Sequence, residues 1–132
     1  MDIMKTVVLI LPGVLDISLG ITLDVMNTAN RLCLQAERPP LFEVTLAGTG
    51  RRRERSGSGL EVGPLARMVD LPAPDLVLLP GANRADREAL EEWLATREVV
   101  KATERVGGWL EGGAEVAASC VSTFALAQAG LL

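Results

Sequence analysis

The 132-residue sequence contains no histidine. That removes the commonest general base and the commonest nitrogen ligand for metals, so neither a Cys-His dyad nor a zinc site can be completed from these residues alone. Cysteine is scarce too. Cys33 and Cys120 sit far apart and form no Cys-x-x-Cys pair, which excludes a disulfide framework and a redox motif of that kind. No metal and no cofactor are expected. No apolar run approaches the roughly 18 residues needed to cross a bilayer. The first twelve residues are interrupted by Asp2 and Lys5, and they lack the basic segment and cleavage site of a secretory leader. A cytoplasmic, soluble protein without a membrane partner is the expectation. Positive charge is in deficit: 13 basic against 17 acidic residues give a net charge of −4. Nothing in the overall balance draws the chain towards nucleic-acid phosphate.

What is present suits one globular unit, since 48% of the residues are apolar and the length is that of a single domain. "KTVVLILP", residues 5–12, is a short aliphatic run closed by Pro-Gly, the pattern of a strand buried on both faces of a parallel sheet. Residues 18–36 change to helical spacing, with Leu19, Leu23, Met26, Asn30 and Cys33 or Leu34 recurring every three or four positions, and Pro39-Pro40 ends the run. "LFEVTLAG", residues 41–48, alternates as a second strand. The Gly/Ser-rich "RRRERSGSGLEVGP" reads as a β-hairpin or an excursion from the main sheet. "PDLVLLPGAN", residues 74–83, repeats the opening theme as a third buried strand with a loop at its carboxyl end.

Helices are expected over 86–95 and 96–110, the second capped by Thr96 with Val99, Thr103, Val106 and Leu110 on one face. "AEVAASC" then reads as a strand and "STFALAQAG" as a helix closed by Gly130. Strands alternating with helices imply βαβ units and an α/β three-layer sandwich, a mostly parallel sheet with helices on both faces. Sites in such sheets lie beyond the carboxyl ends of the strands, which singles out the loops 12–16, 80–83 and 119–122.

The last of these loops holds Cys120 where a strand hands over to a helix. A sharp turn there would lift the thiol clear of the sheet, and the small neighbours Ala118 and Ser122 permit it. A helix beginning just after the thiol favours its thiolate form. Equally, free cysteines often fill space as small hydrophobes. The arginines at 51, 52, 53 and 55, with no aromatic residue among them, read as a solvated loop. Trp93 and Trp109 read as core or interface anchors.

The segments "LILPGVLDISLGITLDVMNTANRL", "DLVLLPGAN" and "AEVAASCVSTFALAQAGLL" together resemble the ThiJ/PfpI family, in the class I glutamine amidotransferase-like superfamily, and most of all the N-terminal half of AraC-type transcription regulators. The resemblance implies a flavodoxin-like fold. It matches Cys120 to the family's elbow cysteine and Asp24 to the acid beside it. It also places Gly13, Gly81, Ala82, Asn83, Val121 and Ser122 around a ligand, with the amides of Gly81 and Ala82 facing an oxyanion or bound anion. Ser122 and Ala82 stand where enzymatic members carry glycine, and each adds a Cβ where backbone must approach a ligand closely.

The function implied is ligand sensing and dimerisation for an AraC-type regulator. Its effector is a small molecule, and DNA is reached only through a domain absent from this chain. The alternative is a cysteine-dependent amidase, hydratase or glyoxalase-like enzyme with Cys120 as nucleophile. Family members continue past the point equivalent to Leu132, so residues 1–132 are expected to be one ThiJ/PfpI-like domain, incomplete at its C-terminal end.

Overall fold

The computed structural model describes residues 2–132. Five strands form one sheet in the order β5-β2-β1-β6-β7, every neighbouring pair parallel. They are β1 (Met4–Leu9), β2 (Phe42–Gly48), β5 (Ala66–Arg67), β6 (Leu76–Leu79) and β7 (Glu115–Ala118). The hairpin expected from the Gly/Ser-rich stretch is a separate two-stranded antiparallel ribbon of β3 (Glu54–Arg55) and β4 (Glu61–Val62). The edge strand β5 carries no sequence signal because only two residues pair, too few for an alternation to show.

The aliphatic runs are continuous because both faces of the sheet are covered. Val7, Leu9, Val77 and Leu79 point into one core with Trp93, Val99, Val106 and Leu126. Val8, Ile10, Val44 and Leu78 point the opposite way, against Leu19, Leu23 and Met26, as the period of two in a strand requires. Helix α1 (Asp16–Gln35) therefore covers one face, while α2 (Arg87–Leu94), α3 (Arg97–Glu111) and α4 (Ser122–Gln128) supply residues to the core on the other. Each fully buried aliphatic side chain contributes about 1.5–3 kcal/mol. This is the α/β, flavodoxin-like three-layer arrangement.

The helix boundaries have local causes. Asp86 caps α2 by accepting from the Ala89 N–H at 2.8 Å. Thr96 caps α3, its hydroxyl accepting from the Val99 N–H at 3.4 Å. Gly130, at φ +73°, closes α4, its N–H bonded to Ala127 O and that of Leu131 to Leu126 O. The buried face of α3 is Val99, Ala102, Thr103, Val106 and Trp109, so the expected Leu110 sits at its margin. Asn30, part of the helical spacing, fastens α1 to β2. Its Oδ1 accepts from the N–H groups of Leu41 and Phe42 at 3.0 and 2.9 Å, and its Nδ2 donates to Phe42 O at 2.8 Å.

From β1 the chain moves outward to β2 and β5, then crosses to β6 and β7 on the other side. The switch point lies between β1 and β6, where such sheets place their sites. The two loops that leave these strands are stitched together there. Leu15 N–H donates to Gly81 O at 2.7 Å and Asn83 N–H to Gly13 O at 2.8 Å, around a bridge between Val14 and Ala82. Trp93 seals the underside, 2% exposed, donating its Nε1–H to Pro12 O at 2.9 Å.

Candidate functional site: the cysteine elbow

Beyond β7 the chain must turn sharply, because β7 pairs with β6 while α4 has to bury Ala125 and Leu126 in the core. Cys120 makes the turn with φ +55°. A left-handed conformation costs a non-glycine residue roughly 1–2 kcal/mol and persists where surrounding structure over-determines it. Three ties do so. Ser119 N–H donates to Leu79 O at 3.0 Å. The Ser122 hydroxyl donates to Pro80 O at 2.6 Å. Gly81 packs so closely that a Cβ on it would lie 2.9 Å from the Cβ of Cys120. The result is an exposed thiol on an elbow pinned to the neighbouring loop. Among the described residues, the N–H groups of Cys120 and Val121 meet no acceptor.

The residues singled out in the sequence do not all converge on this thiol. Gly81 does, but its amide is engaged: the N–H donates to the Ser18 hydroxyl at 2.9 Å, so it does not face an oxyanion as expected. Ala82 is 4% exposed and Ser122 is wholly buried. Neither side chain reaches the surface, and the Ser122 hydroxyl is taken up by its bond to Pro80; the Ala82 N–H, the other amide expected to face an anion, has no acceptor among the described residues. Val121 packs its half-buried side chain against the core. Gly13, at φ +74°, is covered by the guanidinium of Arg84, whose Nη1 would lie 2.6 Å from a Cβ at that position. Asn83 is exposed and abuts Gly57 of the hairpin.

Asp24 is exposed and, among the described residues, has no hydrogen bond to the elbow. It stands six residues beyond Ser18, about 9 Å further along α1 and about 120° round from the face that reaches Gly81. The α1 side chain bonded to the loop beside the elbow is Ser18, which periodicity did not mark because a serine in a first turn reads as a capping or surface residue.

The sequence also gave no sign of the cluster beside these loops. Asp16, in the first turn of α1, accepts from the hydroxyls of Ser56 and Ser58 at 2.9 and 2.6 Å and from Ser58 N–H at 3.2 Å. With Gly57 N–H donating to Val14 O at 2.8 Å, these bonds hook the hairpin onto the switch point. The Ser58 hydroxyl, helped by Ser56, holds the Asp16 carboxyl below its usual 3.8, against a smaller opposing effect of desolvation. The carboxylate is thus engaged as an acceptor and is not placed as a base for Cys120. Two clefts of about 580 and 560 Å³ lie away from the elbow, one between α3 and α4, the other beside β5. No trio of His, Cys, Asp or Glu able to hold a metal occurs among the described residues.

A parallel α/β sheet with a cysteine elbow beyond one strand defines a class, and solved structures of ThiJ/PfpI and DJ-1 superfamily proteins share this fold. An AraC family transcriptional regulator from Pseudomonas putida superposes with a TM-score of 0.73 at 21% identity, over 96% of this chain and 71% of its own. DJ-1beta of Drosophila melanogaster gives 0.70 at 19% identity over 98% of this chain, and the thiJ/pfpI family protein of Bacillus anthracis 0.71 at 22% over 99%. The chain spans 62% of the fly protein and 57% of the Bacillus protein. No protein-family model and no curated protein matches the sequence.

Proposed function

We propose that residues 1–132 serve as the ligand-sensing and dimerising part of a cytoplasmic AraC-type transcription regulator, which reaches DNA through a domain outside these residues. The observation that carries this reading is the company of Cys120. The thiol is exposed and held in a strained turn, yet the amide of Gly81, in the loop packed against it, is tied to Ser18. The carboxylate matched to it, Asp24, is exposed and makes no hydrogen bond to the elbow, and the 132 residues contain no histidine. An elbow so arranged contributes shape and a weak donor to a pocket wall, and among residues 1–132 no general base is hydrogen-bonded to it. The fold shared with an AraC family regulator agrees with this role.

Dimerisation is supported by α1, where Ile17, Ile21, Val25 and Leu32 lie along one stripe of the helix, each more than half exposed. A second copy of the chain is the proposed cover for that stripe.

The competing reading, a cysteine-dependent amidase, hydratase or glyoxalase-like enzyme, draws on the strained, exposed thiol and the two unengaged elbow amides. Footprinting of the intact regulator against a panel of small molecules separates the two. Sensing expects an effector-dependent change in DNA occupancy that survives C120S. Occupancy unmoved by every effector, or substrate turnover abolished by C120S, overturns it. For the dimer, V25D is expected to give a monomer on size exclusion; a wild-type chain that is already monomeric refutes that part.

A further inference from the structure

One of the arginines read in the sequence as a solvated loop is brought by the fold beside cations of a distant helix. Arg51, in the turn that follows β2, lines one cleft of about 280 Å³ with Arg97 and Lys101 of α3. Thr49 and Gly50 line it too, and Glu98 is the acidic residue in its lining. Arg97 and Lys101 are four residues apart and so share a helix face. None of the three cations has an ion-pair partner among the described residues, whereas nearby Arg53 pairs with Glu61 and Arg67 with Asp70.

The adjoining cleft of about 560 Å³ shares Thr49, Gly50 and Lys101 and adds Arg67, Arg105, the acidic Glu104 and the apolar Met68 and Val69, so cations outnumber carboxylates in its lining. Arg105 is fixed there, its Nη2 donating to Val69 O at 3.2 Å and Leu71 O at 2.9 Å, its guanidinium 5.7 Å from the Trp109 ring centroid. Unpaired like charges around a concavity repel one another and raise the local potential, a cost that an anion relieves. This happens in a chain whose net charge is −4, so the positive potential is local.

We propose that these joined clefts bind a small organic phosphate. The phosphate sits among Arg51, Arg97 and Lys101, where guanidinium forks suit its geometry, with the Thr49 hydroxyl as a further donor. The organic body lies against Met68 and Val69. Together the two clefts have the size of small-ligand sites, which run about 300–1,000 Å³. The site stands beyond β2 and β5, at the opposite edge of the sheet from β7 and Cys120, and is independent of the elbow.

The experiment is a titration of the 132-residue chain with phenyl phosphate and with inorganic phosphate, followed by amide NMR shifts. Phenyl phosphate is expected to give saturable shifts confined to residues 49–51, 67–69 and 97–101, at lower concentration than inorganic phosphate. R51Q, R97Q and K101Q are each expected to weaken binding about tenfold or more, with C120S unchanged and dispersed spectra showing every variant folded. Absence of saturation by a concentration on the order of 10 mM, ten times the millimolar Kd that corresponds to weak binding, overturns the proposal, as does binding indifferent to all three substitutions. Duplex DNA and phosphatidylglycerol vesicles are the control arms. Engagement of the same residues by either one, without a response to phenyl phosphate, also overturns it.

Discussion

Replacing Gly81 with alanine tests how the elbow is held. The new Cβ would lie 2.9 Å from the Cβ of Cys120, with the next neighbours, Ser119 O and the Cys120 Sγ, at 3.6 and 3.7 Å. Carbon atoms prefer separations of about 3.5–4.0 Å, so one of two Cβ atoms, each fixed rigidly to its backbone, must give by more than half an ångström. Neither loop can yield freely: Gly81 is bonded through N–H to Ser18 and through its carbonyl to Leu15, and the elbow is bonded to Leu79 and Pro80. Overpacking of this kind costs about 1–3 kcal/mol. Removing the opposing Cβ with C120G leaves only the contact with Ser119 O at 3.6 Å, an ordinary one, so G81A in that background should cost nearly nothing. Urea denaturation of the wild-type chain, both single variants and the double variant gives the coupling directly. A coupling energy below about 0.5 kcal/mol, the scatter expected of independent sites, would refute the close approach of the two loops.

Three other substitutions probe the ties around it. N30A strands the amides of Leu41 and Phe42 and the Phe42 carbonyl; the expected loss is about 2–3 kcal/mol on chemical denaturation, and a loss under 0.5 kcal/mol would contradict the clamp. S122A leaves the Pro80 carbonyl without its buried donor and is expected to cost about 1–3 kcal/mol, with faster alkylation of Cys120 as the elbow loosens. Asp16 has a folded-state pKa lowered chiefly by its Ser58 hydrogen bond. Its contribution is therefore complete above its ordinary value of 3.8 and is lost as the pH falls through the depressed folded value. D16N should flatten the acid limb of a stability-against-pH curve while leaving its slope near pH 7 unchanged. Identical acid limbs would mean that the hairpin is not hooked through that carboxylate.

How much of the site was legible follows from the range of the forces involved. The elbow was visible because a small-residue cysteine turn between an apolar strand and a helix is a local pattern, and φ +55° at Cys120 is what that pattern demands. Asp24 was chosen from its place in a motif, but whether a helical residue reaches a loop depends on rotation about α1, which is set by the packing of Leu19, Leu23 and Met26 under the sheet. Ser18 won the place beside Gly81 by that rotation. Ser122 looked like a departure that would crowd a ligand; only its burial and the carbonyl of Pro80 within reach turn it into a strut. The Asp16 hook to Ser56 and Ser58 spans about forty residues, and no spacing rule in a sequence anticipates a bond of that separation.

The sequence by itself determined the alternation of strands and helices, the parallel and doubly covered sheet, the hairpin and the position of Cys120 at a strand-to-helix turn. Hydrophobic periodicity, proline and glycine placement and capping residues are all read within one or two turns of chain. Tertiary structure decided which side chains face one another across the loops: Ser18 with Gly81, Ser122 with Pro80, Asp16 with the hairpin, and Arg51 with Arg97 and Lys101. Those meetings depend on strand order and helix rotation, which long-range packing fixes.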